Sequence, residues 1–490
     1  MGIRMKRIAR AVALGLVLLL TVVLVRTARF TSRQLPSEPA AELPVDAGAA
    51  AERLAGSLRF RTISFEDPAQ REEEQIAALR EYLQVSFPRV HGALGREVVG
   101  QGALLYTWPG SDPALRPILL MGHMDVVPVE PGTEAQWTHP PFAGRIADGY
   151  IWGRGAMDDK LGVLGVLEAA ELLLAQGHQP RRTVYLAFGA DEEVGGAEGA
   201  ARIASLLASR EVELEVVLDE GGALTTGTVP GVTAPVAVVG IAEKGSVSIE
   251  LIATGEGGHS SMPPRQTAVG IASRAIPRLE ERPFPGGITG PTREMFDYVG
   301  REMGFGPRIV FANLWLFRPL VERQLAASPT TDATLRTTTA ATIFQAGVKE
   351  NVLPSSARAV VNFRLRPGDS AAGVLERVRE VVDDPRVELR LLGEGSEPSP
   401  VSPPDSPSWT LLQRTIRQVF PDAVVAPYLV VGATDARHFS ALSPGIYRFL
   451  PLRLGPGETA RLHGTDERIS VENYAEAVRF YAQLMLNATR

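Results

Sequence analysis

Between Ile118 and Leu218 three short apolar runs, Ile118 to Met121, Thr183 to Phe188 and Val212 to Leu218, alternate with the helix-like stretches Leu161 to Ala175 and Ala200 to Leu207. This order constrains the chain more than any other feature, because strands alternating with helices build an α/β domain around a largely parallel sheet. Ligands of such sheets bind outside the carboxyl ends of the strands. The residues that follow the runs therefore carry the interest: Gly122-His123-Met124-Asp125, Asp191-Glu192-Glu193 and Asp219-Glu220-Gly221-Gly222. Gly153 to Lys160 adds Asp158 and Asp159 just before a helix, and Arg461 to Glu467 adds a second imidazole, His463.

An isolated His-x-Asp is most often a packing or surface pair, and a lone acidic cluster after a strand is usually a helix cap or a wet loop. Several such clusters in one domain, together with two histidines, favour a different reading. Crowded carboxylates repel and raise one another's pKa unless a cation lies among them. The chain has no Cys, so disulfides and thiolate sites are excluded and any metal is held by His and carboxylates. These donors suit Zn²⁺, with Mn²⁺ or Co²⁺ as alternatives, and two ions roughly 3.5–4 Å apart would share one carboxylate.

A chain of 490 residues exceeds one ordinary core, so two domains plus extra segments are expected. Residues 49–243 form the first part of the α/β domain. From about Lys244 the pattern changes: strands over Ser246 to Thr254, Thr337 to Phe344, Ala357 to Leu365 and Val387 to Leu392 are interleaved with helices over Thr267 to Leu279 and Ala371 to Val382. That order predicts an inserted α+β lid domain over 244–396. The Pro-rich stretch Glu397 to Pro407 marks the return, and 397–490 completes the first domain.

At the N-terminus Arg4, Lys6, Arg7 and Arg10 precede the apolar run Ala11 to Val25, which fits a membrane anchor or a signal-peptide core. Arg26 and Arg29 interrupt the small residues that a cleavage site needs. Residues 1–31 are therefore expected to be an uncleaved anchor with the body outside the cytoplasm, the alternative being a removed signal segment. Residues 32–48, rich in Pro, Ala and Glu, read as a tether. A net charge of −6 without a basic block argues against a nucleic-acid partner.

The segments Met121 to Val129 (MGHMDVVPV), Trp137 to Lys160 (WTHPPFAGRIADGYIWGRGAMDDK), Asp191 to Gly196 (DEEVGG), Asp219 to Gly222 (DEGG), Gly257 to Ser261 (GGHSS) and His463 to Glu467 (HGTDE) together resemble the zinc-dependent metallopeptidase family of aminoacylase-1 and carboxypeptidase S. Asn313 to Leu320, Arg336 to Phe344 and Ala346 to Pro354 look like its N-fatty-acyl-amino acid synthase/hydrolase branch. The likeness runs from about Ala50 to the C-terminus. It implies a di-zinc exopeptidase domain with an inserted lid and dimerisation domain, and two Zn²⁺ per chain. One would be held by His123, Asp158 and Asp219, the other by Asp158, Glu193 and His463, with Asp158 bridging. Asp159 fits the ligand position less well, since the family's aspartate stands two residues before the lysine, here Lys160. Asp125 would orient His123, Glu192 would be the general base, and His259 would stabilise the developing oxyanion, often across a dimer interface. Asn351, Arg364 and Arg437 match substrate-contacting positions, Arg437 by pairing with a free carboxylate, although Arg364 alternates with Asn362 and Arg366 as a wet strand face does.

A carboxylate-binding arginine beside two metals suits an N-acyl-amino acid hydrolase and a Gly-Xaa carboxypeptidase or dipeptidase equally. Between Arg293 and Leu325 lie Met295, Phe296, Tyr298, Phe305, Phe311, Leu314, Trp315, Leu316 and Phe317, which suit a fatty-acyl groove, a lid core or a dimer contact. The branch resemblance favours long-chain N-acyl-amino acids, with a homodimer through the lid. A non-catalytic binding domain on the same fold is the remote alternative.

Overall fold

The computed structural model describes residues 2–36, 38–40, 43–229 and 231–489. At its centre the strand Ile118–His123 runs parallel to Val184–Gly189 on one side and to Val216–Asp219 on the other. Ile446–Arg448 pairs in parallel with Val216–Asp219, so chain from the far C-terminal region enters the middle of the sheet. The outer strands include antiparallel pairs, giving a mixed ten-stranded sheet with a parallel centre. All six residues of Ile118–His123 are buried. Their side chains alternate between two covered faces, as the two-residue repeat of a strand requires. Ile118 and Leu120 join the core built with Leu161, Leu164, Tyr481 and Met485. Leu119 and Met121 meet Ile203 and Leu207 on the opposite side. The parallel registers bring His123 level with Gly189 and Asp219 level with Arg448. The loops carrying the acidic clusters thus leave the sheet at one edge.

The inserted sheet has the order Thr338–Ala346, Ser356–Leu365, Gly245–Thr254, Val387–Ser396, every neighbour antiparallel. Helices Ala268–Glu281 and Ala371–Val382 cover one face, packing Ile271, Ala275 and Val378 on Ile249, Leu251 and Phe363. The strand Gly245–Thr254 alternates buried and half-buried residues, as a sheet with one covered face does.

Two segments differ from the expectation. The aromatic stretch after Gly290 does not join the lid core. Tyr298, Val299 and Met303 belong to the main core, with Tyr298 edge-on to Trp409 at 5.6 Å and Phe296 stacked on Phe311 at 5.0 Å. Only its first helix, with Met303 after it, enters the α/β core, while Phe296 and Val321 gather with Ile288 and Leu335 in a small separate cluster edged by Leu314 and Phe317, and Phe305, Trp315, Leu316 and Leu320 are left exposed. Among the described residues of 32–48, several are bonded to the body. Gln34 exchanges hydrogen bonds with the Val425 backbone at 2.9 and 2.8 Å, and the Ala40 N–H donates to the Gln418 carbonyl. The Gln34 side-chain amide and the Ala40 backbone thus tie the described part of the segment to the body. The next helix, Ala47–Ser57, is capped by the Asp46 side chain.

Candidate metal centre

Asp158 stands between the two imidazoles identified in the sequence. Its Oδ1 is 2.9 Å from His123 Nε2 and its Oδ2 is 3.0 Å from His463 Nε2. His463 Nε2 is also 3.4 Å from a carboxylate oxygen of Glu193. Glu193 is held at its other oxygen by the Val127 N–H at 3.2 Å. His123 ends the central strand, and its Nδ1 lies 3.0 Å from the Asp125 carbonyl oxygen, which leaves Nε2 facing Asp158. Asp159 points elsewhere: its carboxylate caps the helix Lys160–Ala175 by accepting the Gly162 N–H.

A buried carboxylate joins the two loops that carry Asp158 and His463. Glu467 accepts the Arg154 guanidinium at 2.7 Å and the N–H groups of Gly155, Met157 and Asp158. Arg154 in turn donates to the carbonyls of His463 and Gly464. This pairing spans most of the catalytic sequence and fixes Asp158 against His463. Both segments carry recognisable motifs in the sequence, but nothing there pairs Arg154 with Glu467.

Asp125 has a task beyond the one expected. Its carboxylate Oδ1 is 3.6 Å from His123 Nδ1 as a buried ion pair, and its backbone carbonyl is nearer at 3.0 Å, so both parts of Asp125 face the ring. The carboxylate also accepts the N–H groups of Glu192 and Glu193 at 3.2 and 3.1 Å and the Ser64 hydroxyl at 2.7 Å. It thereby anchors the short turn Glu192–Val194. Gly196, in the next turn, has φ +68°, and a Cβ there would lie 1.9 Å from Asp435 Oδ1.

Glu220 comes together with His123 and Asp158, beside buried Asp219, which also lies in the field of His123. Ligand atoms of these three lie within 4.8 Å of one another, as do those of Asp158, Glu193 and His463. Asp219 is buried and its Oδ2 accepts the Ala436 N–H at 2.8 Å. Adjacent residues leave a strand end in opposite directions, so of this pair one carboxylate faces the cluster and the other faces the loop at Ala436. The adjacent acids in Asp219-Glu220 were the available signal, and their order alone does not say which one turns inward.

The remaining expected residues lie apart from this cluster. His259 and Asn351 share an exposed hairpin, in which the Ser260 N–H donates to the Asn351 carbonyl and His259 Nδ1 lies 2.8 Å from the Ser261 hydroxyl. Arg364 is exposed on the strand Ser356–Leu365, opposite Ser246 and Thr338. Arg437 is nearer, donating to the Gly195 carbonyl at 2.8 Å. The loop it belongs to is braced by buried Glu243, which accepts Arg448 at 2.7 Å and the Thr434 N–H at 3.0 Å.

The charge state of the cluster fits a cation. Burial, with Asp435, Glu193 and Asp158 nearby, pushes the Glu192 carboxyl well above the usual range. Burial, with Asp158, Glu192 and Asp219, does the same to Glu220. Hydrogen bonds to Asp158 and Glu193 raise His463 to about 10. Asp159 Oδ2 and both oxygens of Asp435 are buried without hydrogen-bond partners. Imidazole nitrogens and carboxylate oxygens converging in this way match the donors that Zn²⁺ and related ions take, and a divalent ion relieves the repulsion among them.

An α/β sheet with His and carboxylate donors gathered at the carboxyl ends of its parallel strands defines a metallohydrolase of the peptidase class. The chain belongs to Peptidase family M20/M25/M40, which matches residues 119–487. It is 44% identical to a probable carboxypeptidase S-like 2 of Dictyostelium discoideum over 99% of this chain and 94% of that one. It is 46% identical to an N-fatty-acyl-amino acid synthase/hydrolase of Xenopus tropicalis, over 89% and 85% respectively. An M20 family metallo-carboxypeptidase from Sulfolobus solfataricus shares the fold, with a TM-score of 0.65 at 17% identity, covering 90% of this chain and 99% of that one.

Proposed function

We propose that the protein hydrolyses the amide bond of N-acyl-amino acids, with long acyl chains preferred, using two Zn²⁺ ions. His123, Asp158 and Glu220 would hold one ion and Asp158, Glu193 and His463 the other. Asp219 steadies the loop at Ala436. Bound there, the ions supply Lewis acidity to the scissile carbonyl and bring the pKa of a water towards neutrality. Glu192 accepts the proton of the attacking water on its carboxylate and returns it to the departing amine nitrogen. Arg437 receives the substrate carboxylate in its planar fork. His259 and Asn351 reach the substrate from the lid of a second copy, and Arg364 lies on that lid's wet face. The observation that carries the chemistry is Asp158 placed between His123 and His463 with Glu192 beside them.

The acyl preference is supported by the 46% identical relative named for N-fatty-acyl-amino acids. A second reading, carboxypeptidase or dipeptidase action, is supported by the 44% identical carboxypeptidase S-like relative. Side-by-side hydrolysis of a long-chain N-acyl-phenylalanine and a Gly-Xaa dipeptide decides between them. A clear preference for the dipeptide overturns the lipid reading. Condensation of fatty acid and amino acid uses the same groups in reverse.

We further infer that the helix Gly2–Arg29 is retained as a membrane anchor, with the catalytic body outside the cytoplasm. The most apolar 18-residue window within Ile3–Arg29 has a mean hydropathy of 2.7 and is almost wholly exposed, which suits a bilayer better than a core.

A further inference from the structure

The N-terminal helix is not merely attached to the body through a linker, since its last turns are fitted to the helices that follow Gly290. Val23 and Thr27 are buried while the preceding apolar residues are exposed. The Asn313 side-chain amide donates to the Val23 carbonyl and to the Thr27 hydroxyl, each at 3.2 Å, and Arg26 Nε donates to the Ala312 carbonyl. Beyond the helix, Arg301 stacks over Phe30 at 4.2 Å and donates to the Thr31 carbonyl. Arg33 pairs with Asp297 at 2.9 Å. These contacts fix the direction in which the helix leaves the body.

The helices next to that exit, Phe305–Ala312 and Leu314–Leu325, expose Phe305, Trp315, Leu316 and Leu320, with Leu320 63% and Trp315 55% accessible. Scattered exposed apolar residues are ordinary, but these share consecutive helices beside an apolar anchor. The apolar run from Ala11 to Val25 rises only about 22 Å, short of the roughly 30 Å hydrocarbon core. A short span draws the bilayer towards the body, to the level of Trp315 and its neighbours. Tryptophan favours that interfacial depth.

Charge points the same way. Between the helix end and these helices lies a cavity of about 530 Å³ whose wall includes Arg26, Arg293, Arg301, Arg318, Asp297 and Trp315. Arg301 is matched by Asp297 and Arg318 by Glu322. Arg26 and Arg293 have no ion-pair partner among the described residues. In a chain of net charge −6 this is a local positive surplus. Guanidinium groups at a bilayer surface recognise phosphate.

We propose that this face docks on the bilayer that holds the anchor, with Phe305, Trp315, Leu316 and Leu320 entering the interface and the arginine-lined cavity taking the phosphate of an anionic lipid headgroup. The inference rests on the retained-anchor reading. It gives the catalytic body one fixed pose on the membrane, where long-chain amphiphiles concentrate.

The absence of Cys makes single labels unambiguous. Full-length protein carrying Leu18→Cys, Leu320→Cys or Val85→Cys is spin-labelled in nanodiscs, and accessibility to oxygen and to a nickel chelate is compared. The expected result is a hydrocarbon label at position 18, an interfacial one at 320 and an aqueous one at 85. A lipid-buried label at 18 with a fully aqueous one at 320 overturns the docking face and leaves the anchor standing. An aqueous label at 18 overturns both. For the cavity, native mass spectrometry of the full chain compares retention of phosphatidylglycerol, phosphatidylcholine and inorganic phosphate. Retained phosphatidylglycerol, weakened roughly 10–30-fold in Arg26→Gln/Arg293→Gln, supports the headgroup site. Equal retention of phosphatidylcholine, retention of free phosphate in place of lipid, or no retention overturns it.

Discussion

The carboxylate Oδ1 of Asp125 accepts the backbone N–H of Glu192 at 3.2 Å. Its other oxygen holds the Glu193 N–H and the Ser64 hydroxyl, so one side chain sets the turn that presents both the proposed base and a proposed ligand. Asp125→Asn replaces an acceptor oxygen with a donor facing donors. We expect metal affinity to fall about 10–100-fold and kcat to fall with it, and the metal-free protein to lose about 1–3 kcal/mol of stability through the buried mismatch. Metal titration together with steady-state kinetics checks this, and unchanged metal affinity would contradict it.

Glu192→Gln keeps the size of the side chain and removes its ability to take a proton. The expected outcome is full metal content with kcat lower by about 10²–10⁴-fold. Near-native turnover in that variant would remove Glu192 from the role of base.

Glu220 and Asp219 are adjacent but face different partners, the former the His123–Asp158 group and the latter the Ala436 N–H. Metal content measured by mass spectrometry on Glu220→Gln is expected to drop towards one ion per chain. Asp219→Asn is expected to retain its metal and to lose stability through the Ala436 loop. The opposite pattern would return the ligand role to Asp219.

These assignments show where sequence reasoning stops. The parallel core was legible because strands buried on both faces must be apolar and helices must cover them, as Ile118–His123 and Lys160–Ala175 do. The clusters that hold His123, Asp158, Glu193 and His463 stood out because they follow or precede such elements, and it was the family resemblance that singled out these four residues within them. Which of Asp219 and Glu220 turns inward depends on the direction in which the chain leaves a strand, and a one-residue change reverses it. The sequence pattern pointed to the Asp125 carboxylate beside His123 but not to its backbone carbonyl, which lies 3.0 Å from the same ring nitrogen, because a side-chain pattern does not report backbone contacts. The aromatic stretch after Gly290 was ambiguous because apolar content does not name the surface it packs on; Tyr298 meets Trp409, far away in sequence.

Glu467 and Arg154 form a fully buried ion pair at 2.7 Å that also binds three backbone N–H groups around Asp158. Neutralising one partner leaves the other charge buried without compensation. Glu467→Gln is therefore expected to lose about 3–5 kcal/mol of stability and to weaken metal binding by loosening Asp158 against His463. Urea unfolding supplies the first number, and a loss under about 1 kcal/mol would mean that the pair is dispensable.

His91 supplies a pH dependence away from the metal cluster. Its Nδ1 lies 2.8 Å from the Phe87 carbonyl and its Nε2 3.0 Å from the Tyr106 hydroxyl, so the neutral ring donates from one nitrogen and accepts at the other. Burial, aided by Arg96, lowers its pKa below the ordinary 6.5. The unfolded chain then binds the proton first as pH falls, so the contribution of His91 to stability is present above 6.5 and is lost below it. Other groups titrate in the same range, and the comparison with His91→Gln isolates this one. The variant is expected to be less stable than the parent at pH 7.5, with the gap in urea midpoint narrowing by pH 5.5. A gap that stays constant, or widens, would show that the ring is not held neutral by its burial.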